Sequence, residues 1–227
     1  MSEAVAGRAE VLCFDVFGTL VDPLGIQRRL EEYVGASASR LTETWRQKQL
    51  EYTFRLTAME WHRDFEWVTR RSLLYALQAT GHELRPDQVE AVMAAYAELD
   101  AFPDAAPGAD ELAAAGHRLT VLSNGTPQMI EAALRSARLA GRFDPVISVD
   151  EVRAFKPSPR VYERAADRLE MPLGQLMLVS SNPFDVIGAR HVGMQAAWVR
   201  RAAAVFDDFE LEPTLVVGSL TELATRL

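Results

Sequence analysis

Short runs of consecutive apolar residues recur along this chain, separated by longer segments whose apolar positions repeat at helical intervals. The short runs fall at residues 11–15 (VLCFD), 119–123 (LTVLS), 145–149, 176–180 (LMLVS), 196–199 and 215–217, and predict buried strands. Helical spacing occupies 127–137, 159–169 and 184–191, each with turn residues in front. Strands alternating with helices predict an α/β fold: a Rossmann-like, mostly parallel sheet with helices on both faces.

Residues 23–100 break the rhythm. They offer no convincing strand and hold only the prolines Pro23 and Pro86, while Leu41, Trp45, Tyr52 and Leu56, then Trp61, Phe65 and Val68, recur at helical spacing. About four helices packed as a small bundle are expected, inserted after the first strand. Phe102-Pro103 and Pro107-Gly108 are read as the return to the sheet. The expected division is a catalytic core of residues 1–22 and 101–227, and a helical cap of residues 23–100.

Composition narrows the function. The formal net charge of −8 argues against a nucleic-acid partner, whose backbone needs a basic surface. The single cysteine, Cys13, excludes an internal disulfide and lies in an apolar run, where a buried structural thiol is expected. The first ten residues lack a signal-peptide core and no apolar stretch is long enough to cross a bilayer, so a cytoplasmic protein without a membrane partner is expected. His62, His82, His117 and His191 match no metal spacing and are expected at the surface or in loops.

Ligands of an open parallel sheet bind beyond the carboxyl ends of the strands, and those ends are polar here. Asp15 closes the first strand; Ser123-Asn124-Gly125 and Ser180-Ser181-Asn182 close two others; Lys156 and Asp185 follow in loops. Asp15 is the natural nucleophile, with Lys156 favouring its ionised form. A turn cap and a surface ion pair would explain either residue singly, but not all the strand ends together.

Phe14-Asp15-x-Phe17-Gly18-Thr19-Leu20 resembles the nucleophile loop of the haloacid dehalogenase superfamily. Leu122-Ser123-Asn124-Gly125, Lys156-Pro157-x-Pro159-x-x-Tyr162 and Ser180-Ser181-Asn182-x-x-Asp185 resemble its three later motifs, in order. Two positions depart from the phosphatase branch of that superfamily. Phe17 stands where a second aspartate protonates the leaving alcohol, and Ser181 where an acidic residue holds magnesium. A halide needs no proton to leave, and a carboxylate substrate needs no metal to neutralise it.

Trp45-Arg46-Gln47-Lys48-Gln49-Leu50-Glu51-Tyr52 resembles the cap segment of L-2-haloacid dehalogenases (type II). That resemblance implies hydrolysis of a small L-2-haloacid to the D-2-hydroxy acid, with inversion, through an aspartyl ester and without metal or cofactor. It implies that Arg46, Asn124 and Phe184 cradle the halide, and that Ser123 binds the substrate carboxylate with amides near Val16 and Phe17. Gln47, Leu50 and Phe65 would be pocket wall. Thr19, Tyr162, Ser180, Asn182 and Asp185 would hold Asp15 and Lys156 and position water, the choice between Asp185 and Asn182 for that water staying open. Partners would be the haloacid and the halide ion, and relatives of this class are commonly homodimers. Three alternatives stay open: opening of a strained ring such as azetidine-2-carboxylate, a magnesium-dependent phosphatase or phosphonatase, and a non-catalytic carboxylate-binding protein.

Overall fold

The computed structural model describes residues 9–201 and 204–227; the reading of the N-terminus therefore lies, for residues 1–8, outside the described residues. Six strands form one sheet: β1 (Val11–Phe14), β2 (Arg118–Ser123), β3 (Val146–Ser148), β4 (Leu176–Ser180), β5 (Gln195–Val199) and β6 (Leu215–Val217). Their order is β3-β2-β1-β4-β5-β6, and every neighbouring pair is parallel. The chain runs outward from β1 to β3, then returns to β4 on the other side of β1. The carboxyl end of β1 is thus the switch point, where a crevice opens between diverging loops. Register places Phe14 beside Val121 and Val179, so Asp15 emerges level with the ends of β2 and β4.

β1, β4 and β5 are buried along their whole length, as expected of strands covered on both faces. Cys13 sits among them, its thiol pushed up to about 12 by burial, an inert packing residue. Covering helices include α6 (Pro127–Ser136), α7 (Pro159–Leu169) and α8 (Pro183–His191), each begun by a proline whose missing N–H has no intrahelical acceptor to lose.

Four α-helices fall within residues 23–100: α1 (Gln27–Val34), α2 (Ala38–Ala58), α3 (Phe65–Thr80) and α4 (Pro86–Tyr96). Asp64 caps α3 by accepting the Trp67 N–H at 2.7 Å, and the Trp45 indole of α2 donates to the Thr69 carbonyl of α3 at 2.8 Å. The connections into and out of this bundle run antiparallel side by side: the Asp22 N–H donates to Asp100 and the Phe102 N–H to Leu20.

Two helices escaped the sequence reading. Pro107 and Gly108, expected to punctuate the return, lie inside α5 (Ala105–Ala114). Pro107 occupies the first turn, where its missing N–H costs nothing. Gly108 is needed because a Cβ there would come within 2.5 Å of Leu220 on the short α9 (Leu220–Arg226), which packs directly against it. Among the described residues no helix is long and apolar enough to cross a membrane.

Candidate active site

Asp15 follows β1 directly, its N–H donating to the Val179 carbonyl of β4 at 3.0 Å. Its two carboxylate oxygens are held differently. Oδ2 accepts the Thr19 hydroxyl at 2.9 Å and the Asn182 amide Nδ2 at 2.8 Å, whereas Oδ1 accepts the Lys156 ammonium at 3.2 Å. The same ammonium donates to Asp185 Oδ2 at 2.8 Å, and the Tyr162 hydroxyl donates to Asp185 Oδ1 at 2.8 Å. Side-chain exposure is 1% for Lys156, 0% for Asp185 and 8% for Asp15, so within this chain of charges only Asp15 reaches free space.

Burial opposes the charge on Lys156, but Asp185 and then Asp15 outweigh it, and its pKa is raised. Burial pushes Asp185 up, Lys156 opposes this, and the charge of Asp15 adds to the rise. Burial and then Asp185 push the Tyr162 hydroxyl well above the usual tyrosine value, so it remains a donor. The result is a buried ion network with every charged atom paired, the condition for keeping charges out of water.

The surrounding turns are fixed from behind. Thr19 Oγ1 accepts the Ser181 N–H at 2.9 Å while donating to Asp15, and Ser180 Oγ accepts the Asn182 N–H at 3.2 Å. Asn124 Oδ1 accepts the Lys156 N–H at 3.0 Å, which leaves its NH2 group for the cavity. The Asp15–Val21 turn uses the N–H groups of Gly18, Thr19, Leu20 and Val21 on its own carbonyls, a pattern that leaves out those of Val16 and Phe17.

From the bundle, Arg46 reaches across to this edge. Its Nη2 donates to the Phe17 carbonyl at 3.2 Å and to Asn182 Oδ1 at 3.3 Å, and its Nη1 to Gln49 Oε1 at 2.8 Å. Asp15, Phe17, Asn124, Lys156, Asn182 and Phe184 line a cavity from the sheet side, and Arg46, Leu50 and Phe65 close it from the bundle. Its free volume is about 10 Å³, roughly the space of one water.

The sheet edge thus brings together most of the residues expected there. Ser123 is fully buried, its Oγ accepting the Gly125 N–H at 3.2 Å, behind the cavity wall. Gln47 is a correction: expected in the wall, it is exposed and outside the cavity. On α2, Arg46 and Leu50 share a face one turn apart, and Gln47 is rotated about 100° from Arg46. The buried polar partner is instead Gln49. Sequence reasoning also missed Tyr96, stacked on Phe17 at 5.8 Å, and Arg201, whose Nη2 donates to the Thr19 carbonyl at 2.7 Å. Nothing local to either sequence position signals these long-range contacts.

The model of haloacid dehalogenase-like hydrolases matches residues 9–193. The (S)-2-haloacid dehalogenase 4A of Burkholderia cepacia is 38% identical over 211 residues, covering 92% of this chain and 91% of that protein. The chain belongs to this family of (S)-2-haloacid dehalogenases. Two solved structures agree with the assignment. A dehalogenase with an intermediate complex superposes with a TM-score of 0.93 at 35% identity, covering 97% of this chain and 98% of that one. The L-2-haloacid dehalogenase of Xanthobacter autotrophicus with covalently bound chloropropionic acid has a TM-score of 0.89 at 33% identity, covering 96% and 98%.

Proposed function

We propose that the chain hydrolyses small L-2-haloacids to D-2-hydroxy acids through an ester formed on Asp15. The observation that carries this reading is the unequal holding of the Asp15 carboxylate. Oδ2 is fixed by two donors, and Oδ1, with one longer bond to Lys156, keeps a lone pair for attack. A carboxylate held this way meets C2 from the side opposite the halogen; the new C–O bond forms as the carbon–halogen bond breaks, with inversion. The halide takes the bonding pair and departs unprotonated. Arg46, Asn124 and Phe184 receive it, and the guanidinium acts most strongly as charge develops. Ser123, which lies behind the cavity wall while the cap is closed, and the N–H groups of Val16 and Phe17 are assigned to the substrate carboxylate once the cap opens, with Phe17, Leu50 and Phe65 as apolar wall.

Water then adds to the carbonyl carbon of the ester. Negative charge collects on Oδ2, where the Thr19 hydroxyl and Asn182 amide already point, while Asp185, buried and paired with Lys156 and Tyr162, acts by holding Lys156 against Asp15. Collapse expels the hydroxy acid, whose oxygen takes one proton of the added water, and the other proton passes to solvent as the Asp15 carboxylate is restored. Tyr162, Ser180 and Lys156 hold the two carboxylates in register throughout. Phe17 offers no acid for a phosphate leaving group, which favours halide as the leaving group.

In this reading residues 23–100 are a cap over a core of residues 1–22 and 101–227, and the paired strands of chain near Asp22 and Asp100 are its hinge. The free space under the cap is too small for a haloacid, so the cap opens to admit one. The reading takes the enzyme as cytoplasmic and homodimeric, with the haloacid and halide as its partners. One turnover in heavy-oxygen water, followed by mass analysis of the peptide bearing Asp15, tests it. Label is expected in Asp15; label found only in the product would overturn the ester route.

A further inference from the structure

We propose that Gln49 is a positioning residue for Arg46, and that its neutrality is what leaves the guanidinium's charge available to the departing halide. This inference rests on the halide role given to Arg46 above.

Gln49 is 1% exposed, on the turn of α2 next to Arg46. Its Oε1 accepts Arg46 Nη1 at 2.8 Å and its Nε2 donates to Thr69 Oγ1 at 2.8 Å. The hydroxyl proton of Thr69 is already committed to the Phe65 carbonyl at 2.7 Å, so toward Gln49 it can only accept. That single fact fixes which end of the amide faces Arg46. The Tyr96 hydroxyl, 3.2 Å from Nε2 and 3.3 Å from Oε1, closes the arrangement, and the Tyr96 ring stacks on Phe17 in the cavity wall. Gln49 is therefore a rigid acceptor, locked by α3 and α4 and aimed at one nitrogen of the guanidinium.

The chemistry of the acceptor matters as much as its place. Arg46 donates to the amide oxygens of Gln49 and Asn182 and to the carbonyl of Phe17, all uncharged. A carboxylate at position 49 would still accept from Arg46, though without a proton to give Thr69, and it would pair with the cation and spend its field. In a site shut off from water, an uncompensated guanidinium attracts an anion far more strongly than a neutralised one. Glutamine gives the anchor without the quenching charge.

Two substitutions separate anchor from charge, assayed for kcat and KM on L-2-chloropropionate and for inhibition by bromide. Gln49→Met removes the anchor and leaves the charge; it is expected to lower kcat about ten- to hundredfold with little change in KM. Gln49→Glu keeps size and shape and quenches the charge; it is expected to raise the bromide concentration for half-inhibition about tenfold or more, well beyond any shift in Gln49→Met. A purely structural role would lower the melting temperature without moving bromide inhibition. Wild-type kcat and bromide inhibition in both variants overturn the proposal, and equal bromide shifts in the two overturn its charge argument. Should Gln49→Met fail to fold, Gln49→Glu carries the test. Arg46→Met is assayed alongside: full activity there sinks the halide role itself, whereas its inactivity beside unaffected Gln49 variants sinks only the inference.

Discussion

Asn182 Nδ2 donates to Asp15 Oδ2 at 2.8 Å, on the same oxygen that the Thr19 hydroxyl holds at 2.9 Å. Once Oδ1 is esterified, Oδ2 becomes the ester carbonyl, and both donors face the atom on which charge develops when water adds. Losing one preorganised donor of this kind costs about 10²–10³ in rate. Asn182→Ala is expected to slow ester hydrolysis more than ester formation, so the enzyme esterified at Asp15 builds up during turnover. Intact-protein mass spectrometry reads this directly; unmodified enzyme alone at steady state would count against it.

Lys156 joins Asp15 and Asp185, and its pH behaviour follows from its raised pKa. A lysine whose folded pKa lies above its unfolded value of about 10.4 contributes stability in full below that value and loses it only as pH climbs through the higher folded one. No loss of activity from this group is expected below its ordinary value of 10.5. Lys156→Met leaves two buried carboxylates facing each other without a cation, at a cost of about 3–5 kcal/mol. Urea unfolding at neutral pH should show that loss together with abolished turnover, and unchanged stability would contradict the buried-network account.

What could be read from the sequence follows from range. Asp15, Lys156 and Asp185 were legible because strand ends in a parallel sheet converge, so order along the chain predicts proximity. The six strands were legible because their apolar runs are short, those of β1, β4 and β5 being buried throughout, and the bundle because its spacing switches period. Arg46 stood out only through resemblance, which also put Gln47 in the wall; that Gln49 is the buried one depends on what packs against each, which the sequence does not show. The partners of Gln49, at Thr69 and Tyr96, belong to two other helices. In α5, Pro107 and Gly108 spelled a turn, and the helix survives because one falls in its first turn and the other meets α9.

Gly188 on α8 is where the network can be disturbed without touching a charged group. A Cβ there would lie 2.5 Å from the Tyr162 hydroxyl and 2.6 Å from Pro157 Cβ, so Gly188→Ala must push Tyr162 off Asp185. Overpacking of this kind costs about 1–3 kcal/mol, or roughly 2–12 °C in melting temperature for a chain of this size. Turnover should fall with it. Gly174→Ala, with nothing within 4 Å of the added methyl, is the control expected to leave both unchanged. Equal melting temperatures for the two variants would show that the close approach is not limiting.

Arg201 grips the nucleophile turn from the side away from substrate. Its Nη2 donates to the Thr19 carbonyl at 2.7 Å, its Nη1 pairs with Asp104 at 2.9 Å, and its guanidinium lies 3.8 Å from the Phe102 ring centre. The other oxygen of Asp104 accepts the Leu220 N–H at 2.7 Å, so the clamp is anchored to α9. Thr19 in turn sets the direction of Asp15 Oδ2, and a small shift there is felt at the attacking oxygen. Arg201→Met removes two charge-assisted bonds, each worth about 1.5–3 kcal/mol, and is expected to lower kcat about tenfold with KM nearly unchanged. Arg201→Lys restores the pair with Asp104, but a single ammonium cannot span carboxylate and carbonyl as the planar fork does, so it should recover stability more than rate. Steady-state kinetics at a temperature where all three proteins are folded decides the matter. Wild-type kcat in Arg201→Met would reduce the clamp to a stabilising contact with no hold on the nucleophile.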